Sequence, residues 1–469
     1  MDRPAGWREL LHPPHVLSTG VVVLGILTPA FSWFVTNTVM PTVVADIGGL
    51  GFYAWVPTGY SVAAILGTAG ASVITRRSGF RVTLGSAAVA FVAGALVCAT
   101  TQAMAVLILG RALQGLGGGT MIATVHALLR QAFPERLWAY VLTSISAAWG
   151  VAALAGPSVG GVLAGQGAWR GAFAAMAPPA VAGALLTWWL LGPRTGAARE
   201  TRESAALGRL ALTAASVLCV ASVANVPAVA ARLGLIAAAL VLVTLMLRLD
   251  GRARARLFPS GMLSPRQPLG RAFWVVFFLA MSTTPVTVFL PLFLQVLHGV
   301  SPAVAGYITA AQSLAWTTAA LLSARLGRHG VRRAVVLGPV AIALGFAGLT
   351  LTAAAGPVPV VAGAVLLVGG GIGTAWAHVG AIALGAARAG EEDVTASMIP
   401  STQAFAVALG AALSGVIANA VGLSAGAAPP TAAAAATALF GVFAVVPLGA
   451  VAVAVRLRAA VPAGAAAGG

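Results

Sequence analysis

The chain of 469 residues contains no lysine: all 27 basic residues are arginine, set against only 10 aspartates and glutamates. Without lysine there is no phosphate-cradling loop ending in Gly-Lys-Ser/Thr and no Schiff-base nucleophile, which excludes a P-loop ATPase and lysine-based covalent catalysis. Cysteine is nearly absent too. Cys98 and Cys219 both lie inside apolar runs, so no disulfide framework or redox pair is implied and both read as small core residues. Charged residues make up 8% of the chain and hydrophobic ones 59%, with a mean hydropathy of +0.96. No soluble globular class reaches that balance. What the sequence offers instead is a succession of apolar runs, many of them about 20 residues or longer, enough to cross a bilayer as helices. It reads as an all-α, polytopic membrane protein.

The runs between charged breaks predict about fourteen transmembrane helices: 16–44, 52–74, 80–100, 103–130, 139–164, 170–192, 207–224, 229–247, 271–297, 303–324, 332–353, 358–386, 394–421 and 432–456. The arginines follow this segmentation. With the N-terminus inside, the inner loops hold Arg76, Arg77 and Arg81; Arg130 and Arg136; Arg194 to Arg209; Arg248 to Arg271; Arg325 to Arg333; Arg388; and Arg456 with Arg458. The outer side keeps little beyond Asp46, Arg170, Arg232 and His298. That asymmetry is the positive-inside bias, and it predicts a cell-membrane protein with both termini cytoplasmic. A pI near 11.8 would suit a nucleic-acid binder if the arginines gathered on one domain, but they are scattered through loops, so no nucleic-acid partner is expected.

An internal repeat organises the spans. Arg77-Ser78-Gly79-Phe80-Arg81 after the second span matches Arg328-His329-Gly330-Val331-Arg332 after the tenth, at an offset of 251. Leu116-Gly117-Gly118-Gly119-Thr120 in the fourth span is echoed by Gly370-Gly371-Ile372-Gly373-Thr374 in the twelfth, at an offset of 254. Two matches at nearly one offset predict two six-helix bundles related by a pseudo-twofold axis. The expected layout is a cytoplasmic N-terminus (1–15), a first bundle (16–192), a linker (193–206), two inserted helices (207–247), an Arg-rich loop (248–270), a second bundle (271–456) and a flexible tail (457–469). Transporters built from such repeats bind substrate near the membrane midplane and alternate access around it.

Within the spans one charge stands out. Arg111 sits in a fourth span with no acid in it, and an arginine near a bilayer centre costs about 2.5 to 17 kcal/mol depending on the reference state. It must be satisfied by neighbours such as Asn37 or Gln114, or await an anionic ligand whose carboxylate or phosphate matches its donor fork. Trp33, Trp149, Trp316 and Trp376 lie deep in spans and read either as an aromatic cavity for flat or greasy molecules or as ordinary packing and lipid contacts. His378, inside the twelfth span, reads as a proton carrier or as a hydrogen-bonded packing residue. In Gly156-Pro157-x-x-Gly160-Gly161 the proline removes a backbone hydrogen bond and the glycines admit a neighbouring helix, which suits a hinge or simply close packing. The same stretch matches Gly-x-Ser-x-Gly, but no strand precedes Ser158 and no span holds an acid to orient a histidine, so an enzyme is not expected. Arg77, Gly79 and Arg81, with Arg328, Gly330 and Arg332, read as a cytoplasmic latch or as cations facing anionic headgroups.

Taken together, Arg111-x-x-Gln114-Gly115, Gly156-Pro157-Ser158-Val159-Gly160-Gly161, Asn37 with Pro41, and the Arg77-Gly79-Arg81 loop resemble motifs of the major facilitator superfamily, and among its members the fourteen-span drug/proton antiporters. The resemblance spans about residues 20 to 456. It implies a secondary active transporter without cofactor or metal, working as a monomer among membrane lipids on a small-molecule substrate, with protons as the coupling ion. The implied cargo is a drug, antibiotic or natural product of hydrophobic or amphiphilic character. Two departures matter. The family's first-span aspartate falls at Ser32, and its loop aspartate falls at Arg76. The first removes the carboxylate that resembles a coupling partner for Arg111, leaving Asp46 or His378 as proton carriers. It also keeps open a proton-independent facilitator or importer of an organic anion bound by Arg111, or a non-transporting scaffold or sensor.

Overall fold

The computed structural model describes residues 7–10, 12–13, 15–190, 204–226, 228–253 and 258–458. The expected N-terminal segment, linker, Arg-rich loop and tail fall wholly or partly outside these. Among the described residues there are helices and no strands. They run α1 (Trp7–Leu10), α2 (His15–Ile47), α3 (Trp55–Thr100), α4 (Met104–Ala132), α5 (Trp138–Gly165), α6 (Trp169–Ala174), α7 (Ala177–Leu190) and α8 (Ser204–Ser222). After these come α9 (Val229–Arg252), α10 (Pro268–Met281), α11 (Thr284–His298), α12 (Pro302–Ser323), α13 (Arg328–Thr352), α14 (Val358–Gly385), α15 (Glu392–Ala420) and α16 (Pro429–Leu457). Helix is the form in which an apolar segment satisfies every backbone N–H and C=O from within.

Among the described residues, thirteen segments are long and apolar enough to cross a membrane. The fourteenth expected span corresponds to α12, a 22-residue helix whose Thr309, Gln312, Ser313, Thr317 and Thr318 leave it short of that apolarity. Three breaks in the helix pattern each have a local reason, one between two spans and two within a span. The expected loop between spans two and three is a single break inside α3, where Gly79 takes φ 77° and ψ 169°, a conformation that disfavours any side chain with a Cβ. The sixth span divides into α6 and α7 at Ala175 and Met176, just before Pro178 and Pro179, which cannot donate to a continuing helix. The ninth divides into α10 and α11 at Ser282 and Thr283, ahead of Pro285.

The chain packs as two compact units. Unit 1 comprises residues 1–49 and 59–214, and unit 2 comprises 50–58 and 215–469. In unit 1 a core of Val21, Val22 and Ile26 from α2 and Val125, Leu128 and Leu129 from α4 is fully or nearly fully buried. In unit 2 Phe289, Phe293, Phe346, Phe440 and Phe443 form a continuous aromatic core. The short stretch 50–58 is tied into unit 2 by side-chain amides: the Gly51 carbonyl accepts from Asn225 Nδ2 at 3.0 Å and from Asn419 Nδ2 at 2.8 Å, while Trp55 Nε1 donates to Asn225 Oδ1 at 2.9 Å.

The internal repeat is visible as packing. In unit 1, Gly115 and Gly119 of α4 lie so close to α3 that an added methyl would collide with the carbonyls of Tyr60 and Ala64. In unit 2, Gly369 and Gly373 of α14 stand in the same relation to the carbonyls of Gln312 and Trp316 on α12. Small residues of this kind let helix backbones approach closely and pack by dispersion where lipid offers no hydrophobic drive.

Candidate functional site

Close contact between α3 and α4 fixes where the fourth-span arginine points. Gly115 lets α4 press against Tyr60, and one turn earlier Arg111 lays its guanidinium over that ring, with Cζ 4.4 Å from the ring centre. Arg111 is 1% exposed. Its Nη1 donates to Ser32 Oγ on α2 and to Gln114 Oε1 on its own helix, both at 2.7 Å. Gln114 Nε2 in turn donates to Met176 Sδ at 3.3 Å, and Met176 reaches that point because the sixth span breaks there. Arg111 Nε is buried with no hydrogen-bond partner. A permanent cation is thus held by a hydroxyl, an amide oxygen and an aromatic face, without an acid.

The structure therefore brings Ser32, Arg111 and Gln114 together, while Asn37 is buried on α2 and makes none of these contacts. Sequence reasoning missed Tyr60 and Met176. The glycine at 115 signals a close neighbour, but no spacing rule says which residue on the next helix faces it. The Pro178-Pro179 pair was a legible signal for the break that delivers Met176.

The other candidates fall into separate groups. Trp33 tilts against Tyr60 at 6.2 Å between ring centres, extending the aromatic surface beneath Arg111. Trp149 meets Phe34 edge-on at 6.4 Å and is 40% exposed. Both belong to unit 1. Trp316 and Trp376 form a pair within unit 2, 5.2 Å apart. His378, half-buried two residues beyond Trp376, places Nε2 3.1 Å from the Ser323 carbonyl; a carbonyl only accepts, so that nitrogen carries the proton in this arrangement.

Asp46 lies at the end of α2 beside Trp169 and Arg170. Its Oδ2 accepts from Trp169 Nε1 at 3.0 Å and from Arg170 Nη1 at 2.8 Å, while Arg170 Nε and Nη2 donate to the Thr101 carbonyl. Trp169 is buried. The network ties three helix ends of unit 1 together.

Gly156 and Gly160 of α5 face α2. A methyl at 156 would strike Phe34, and one at 160 would crowd Val35 and Thr38. Pro157 and Gly161 are buried beside them. Ser158 Oγ donates to the Leu154 carbonyl one turn back, as a helical serine does, and no strand leads into it. In the latch motif Arg77 is exposed and Arg81 stacks on Trp188, with Cζ 3.4 Å from the ring centre. Its repeat differs: Gly330 lies within the first turn of α13 rather than at a left-handed break, and the preceding turn ends at Gly327. The Arg328 side chain lies outside the described residues.

The molecule thus combines a buried arginine on a glycine-rich fourth span, a Gly-Pro fifth span packed on the first, and two units with matching helix contacts. The sequence profile of the Major Facilitator Superfamily matches residues 22–411. The chain belongs to that superfamily. It is a multi-span membrane transporter by family, with small molecules as the class of substrate. A protein named "Probable multidrug-efflux transporter" from Mycobacterium tuberculosis (strain ATCC 25618 / H37Rv) is 33% identical over 427 residues, covering 88% of this chain and 89% of the relative. The multidrug transporter protein MdtP of Bacillus subtilis (strain 168) is 23% identical over 339 residues, 71% of this chain and 62% of that protein. Among solved structures, a peptide transporter crystallised with sulfate superimposes with a TM-score of 0.71 at 15% identity, covering 98% of this chain and 97% of the other. A bacterial homolog of the human lysosomal transporter Spinster, inward-facing and unoccupied, gives a TM-score of 0.66 at 12% identity, with 96% and 98% covered. At such identities these two speak to the fold alone.

Proposed function

We propose that this chain is a secondary active exporter that moves hydrophobic or amphiphilic organic compounds, such as drugs, antibiotics or natural products, out across the cell membrane by alternating access, driven by protons. The observation that carries this reading is the 33% identity, over nearly the full length of both chains, to a protein named as a multidrug-efflux transporter. Aromatic pairs in each unit, Trp33 with Tyr60 and Trp316 with Trp376, suit cargo recognised by shape and polarisability. Both termini are cytoplasmic on the arginine bias. The protein acts as a monomer and not as an enzyme.

Proton coupling in this reading does not run through Arg111. With Ser32 where relatives carry an acid, the guanidinium's partners are a hydroxyl and an amide, and neither titrates. Asp46 is engaged by Arg170 and Trp169, so His378 in α14 is the proposed proton carrier. Gly156, Pro157, Gly160 and Gly161 are proposed as a hinge, and Arg77, Gly79 and Arg81 with Arg328, Gly330 and Arg332 as a cytoplasmic latch. Inside-out vesicles test the whole. Dye or drug uptake that collapses when the pH gradient is dissipated supports the exporter, and uptake indifferent to that gradient sinks it.

A second reading, a proton-independent carrier of an organic anion, rests on the unpartnered Nε of Arg111. Under that reading Arg111→Gln weakens transport of anionic compounds far more than that of neutral ones. Equal loss of both leaves Arg111 as a structural and conformational residue.

A further inference from the structure

Arg81 and Arg332, equivalent in the repeat, share one oddity: the Nε of each is buried without a hydrogen-bond partner. In unit 1 the guanidinium of Arg81 is covered by the Trp188 ring. In unit 2 Arg332 opens instead on a cavity of about 600 Å3, lined by His329, Arg332, Arg333, Val336, Leu337 and Arg458. Three arginines and a histidine line it, from the first turns of α13 and the end of α16, and among the described residues no acidic side chain does. The side chains of Arg332, Arg333 and Arg458 make no ion pair or hydrogen bond among the described residues. Like charges gathered at a membrane edge are stabilised by a counter-anion, and guanidiniums match a phosphate with paired donors.

The apolar part of the lining says what kind of anion. Leu337, which lines the cavity, is 58% exposed; Leu344 is 60% and Leu351 83% exposed. Spaced by seven residues, about two helical turns, they form one stripe along α13 that starts at the arginines and runs the length of the span. A small soluble phosphate compound would use the cations and leave this stripe unused. An amphiphile with a phosphate head and an alkyl tail would use both.

We infer that this cavity binds the headgroup of an anionic phospholipid, with an acyl chain laid along Leu337, Leu344 and Leu351. Of the lining residues only Arg332 also belongs to the proposed latch; His329, Arg333, Val336, Leu337 and Arg458 have no part in the proposed cargo or coupling path. On the arginine bias it faces the cytoplasmic leaflet, where anionic lipids attract basic side chains.

Native mass spectrometry of the full chain in detergent, offered equal amounts of phosphatidylglycerol and phosphatidylcholine with identical acyl chains, tests this. The expected result is preferential retention of phosphatidylglycerol by the wild-type chain. R332Q/R333Q/R458Q should lower that preference at least about tenfold, given three contributing arginines. A charge-matched control, R248Q/R252Q/R266Q, should keep it. Equal retention of the two lipids by wild type overturns the site whatever the variants do. Equal loss in both triple variants reduces it to net charge and also overturns it. Displacement of phosphatidylglycerol by millimolar glycerol phosphate would reassign the cavity to a soluble phosphate anion and defeat the lipid assignment.

Discussion

The helices α4 and α14 hold equivalent places in the two units and differ in one respect that matters. Both present glycines to a neighbour's carbonyls, Gly115 and Gly119 in one, Gly369 and Gly373 in the other. At the same offset of 254, however, Arg111 and Gln114 are answered by Val365 and Val368, each fully buried. Tyr60, whose carbonyl meets Gly115, is answered through the matching contact of Gly369 by Gln312, whose Oε1 is buried without a partner. The duplicated part is the scaffold of close-packed backbones. The polar chemistry occupies one copy, which teaches that a repeat can fix helix positions without fixing what they carry.

The sharpest way to break this comparison is to exchange the charge. Val365→Arg places a guanidinium at a fully buried valine of unit 2, where Gln312 stands in the place of Tyr60, at a cost of about 2.5–3.5 kcal/mol on the insertion scale. The expected outcome is little monodisperse protein on size-exclusion chromatography. Normal yield would mean the second unit accommodates the charge as readily as the first. Next comes the shared scaffold: Gly373→Ala and Gly115→Ala should each lower thermal stability by roughly 1–3 kcal/mol through overpacking. A neutral result at one and not the other would show that the two contacts are not equivalent.

Ser32→Asp sharpens the comparison by changing only the polar copy. A carboxylate at Ser32 should add a charge-assisted contact to Arg111 worth about 1.5–3 kcal/mol at neutral pH. That gain shrinks as pH falls, because a protonated carboxyl no longer pairs with a guanidinium. Unfolding midpoints of wild type and variant measured from neutral to acidic pH should therefore converge, and parallel curves would refute the pairing. The smallest effect belongs to the proposed latch: Trp188→Leu removes the ring over Arg81 at about 0.5–1 kcal/mol. The same loss is not expected from any single aromatic change near Arg332, where no ring stacks on the guanidinium among the described residues.

How much of this was legible depended on range. The spans were legible because lipid permits only helices, so apolar length translates directly into structure. The superfamily was legible from Arg111, Gln114 and the Gly156–Gly161 stretch, whose chemistry is local to one helix. The partners of Arg111 were only half legible. Gln114 lies one turn away on the same helix and Ser32 came with the resemblance, but Tyr60 and Met176 depend on which faces of α3 and the broken sixth span turn inward. Gly79 and Gly330 show the opposite failure. Identical spacing predicted identical turns, yet only Gly79 adopts the left-handed break, because in the second copy the turn falls before Gly327 and helix α13 has already begun at 330.

The Gly51 carbonyl, with Asn225 and Asn419 on its two lone pairs, makes the hold on residues 50–58 redundant. Losing either amide leaves the oxygen still satisfied, so damage there comes in instalments rather than all at once. The two asparagines are unequal in this, because Asn225 also accepts from Trp55 Nε1: its removal breaks two contacts, the removal of Asn419 only one.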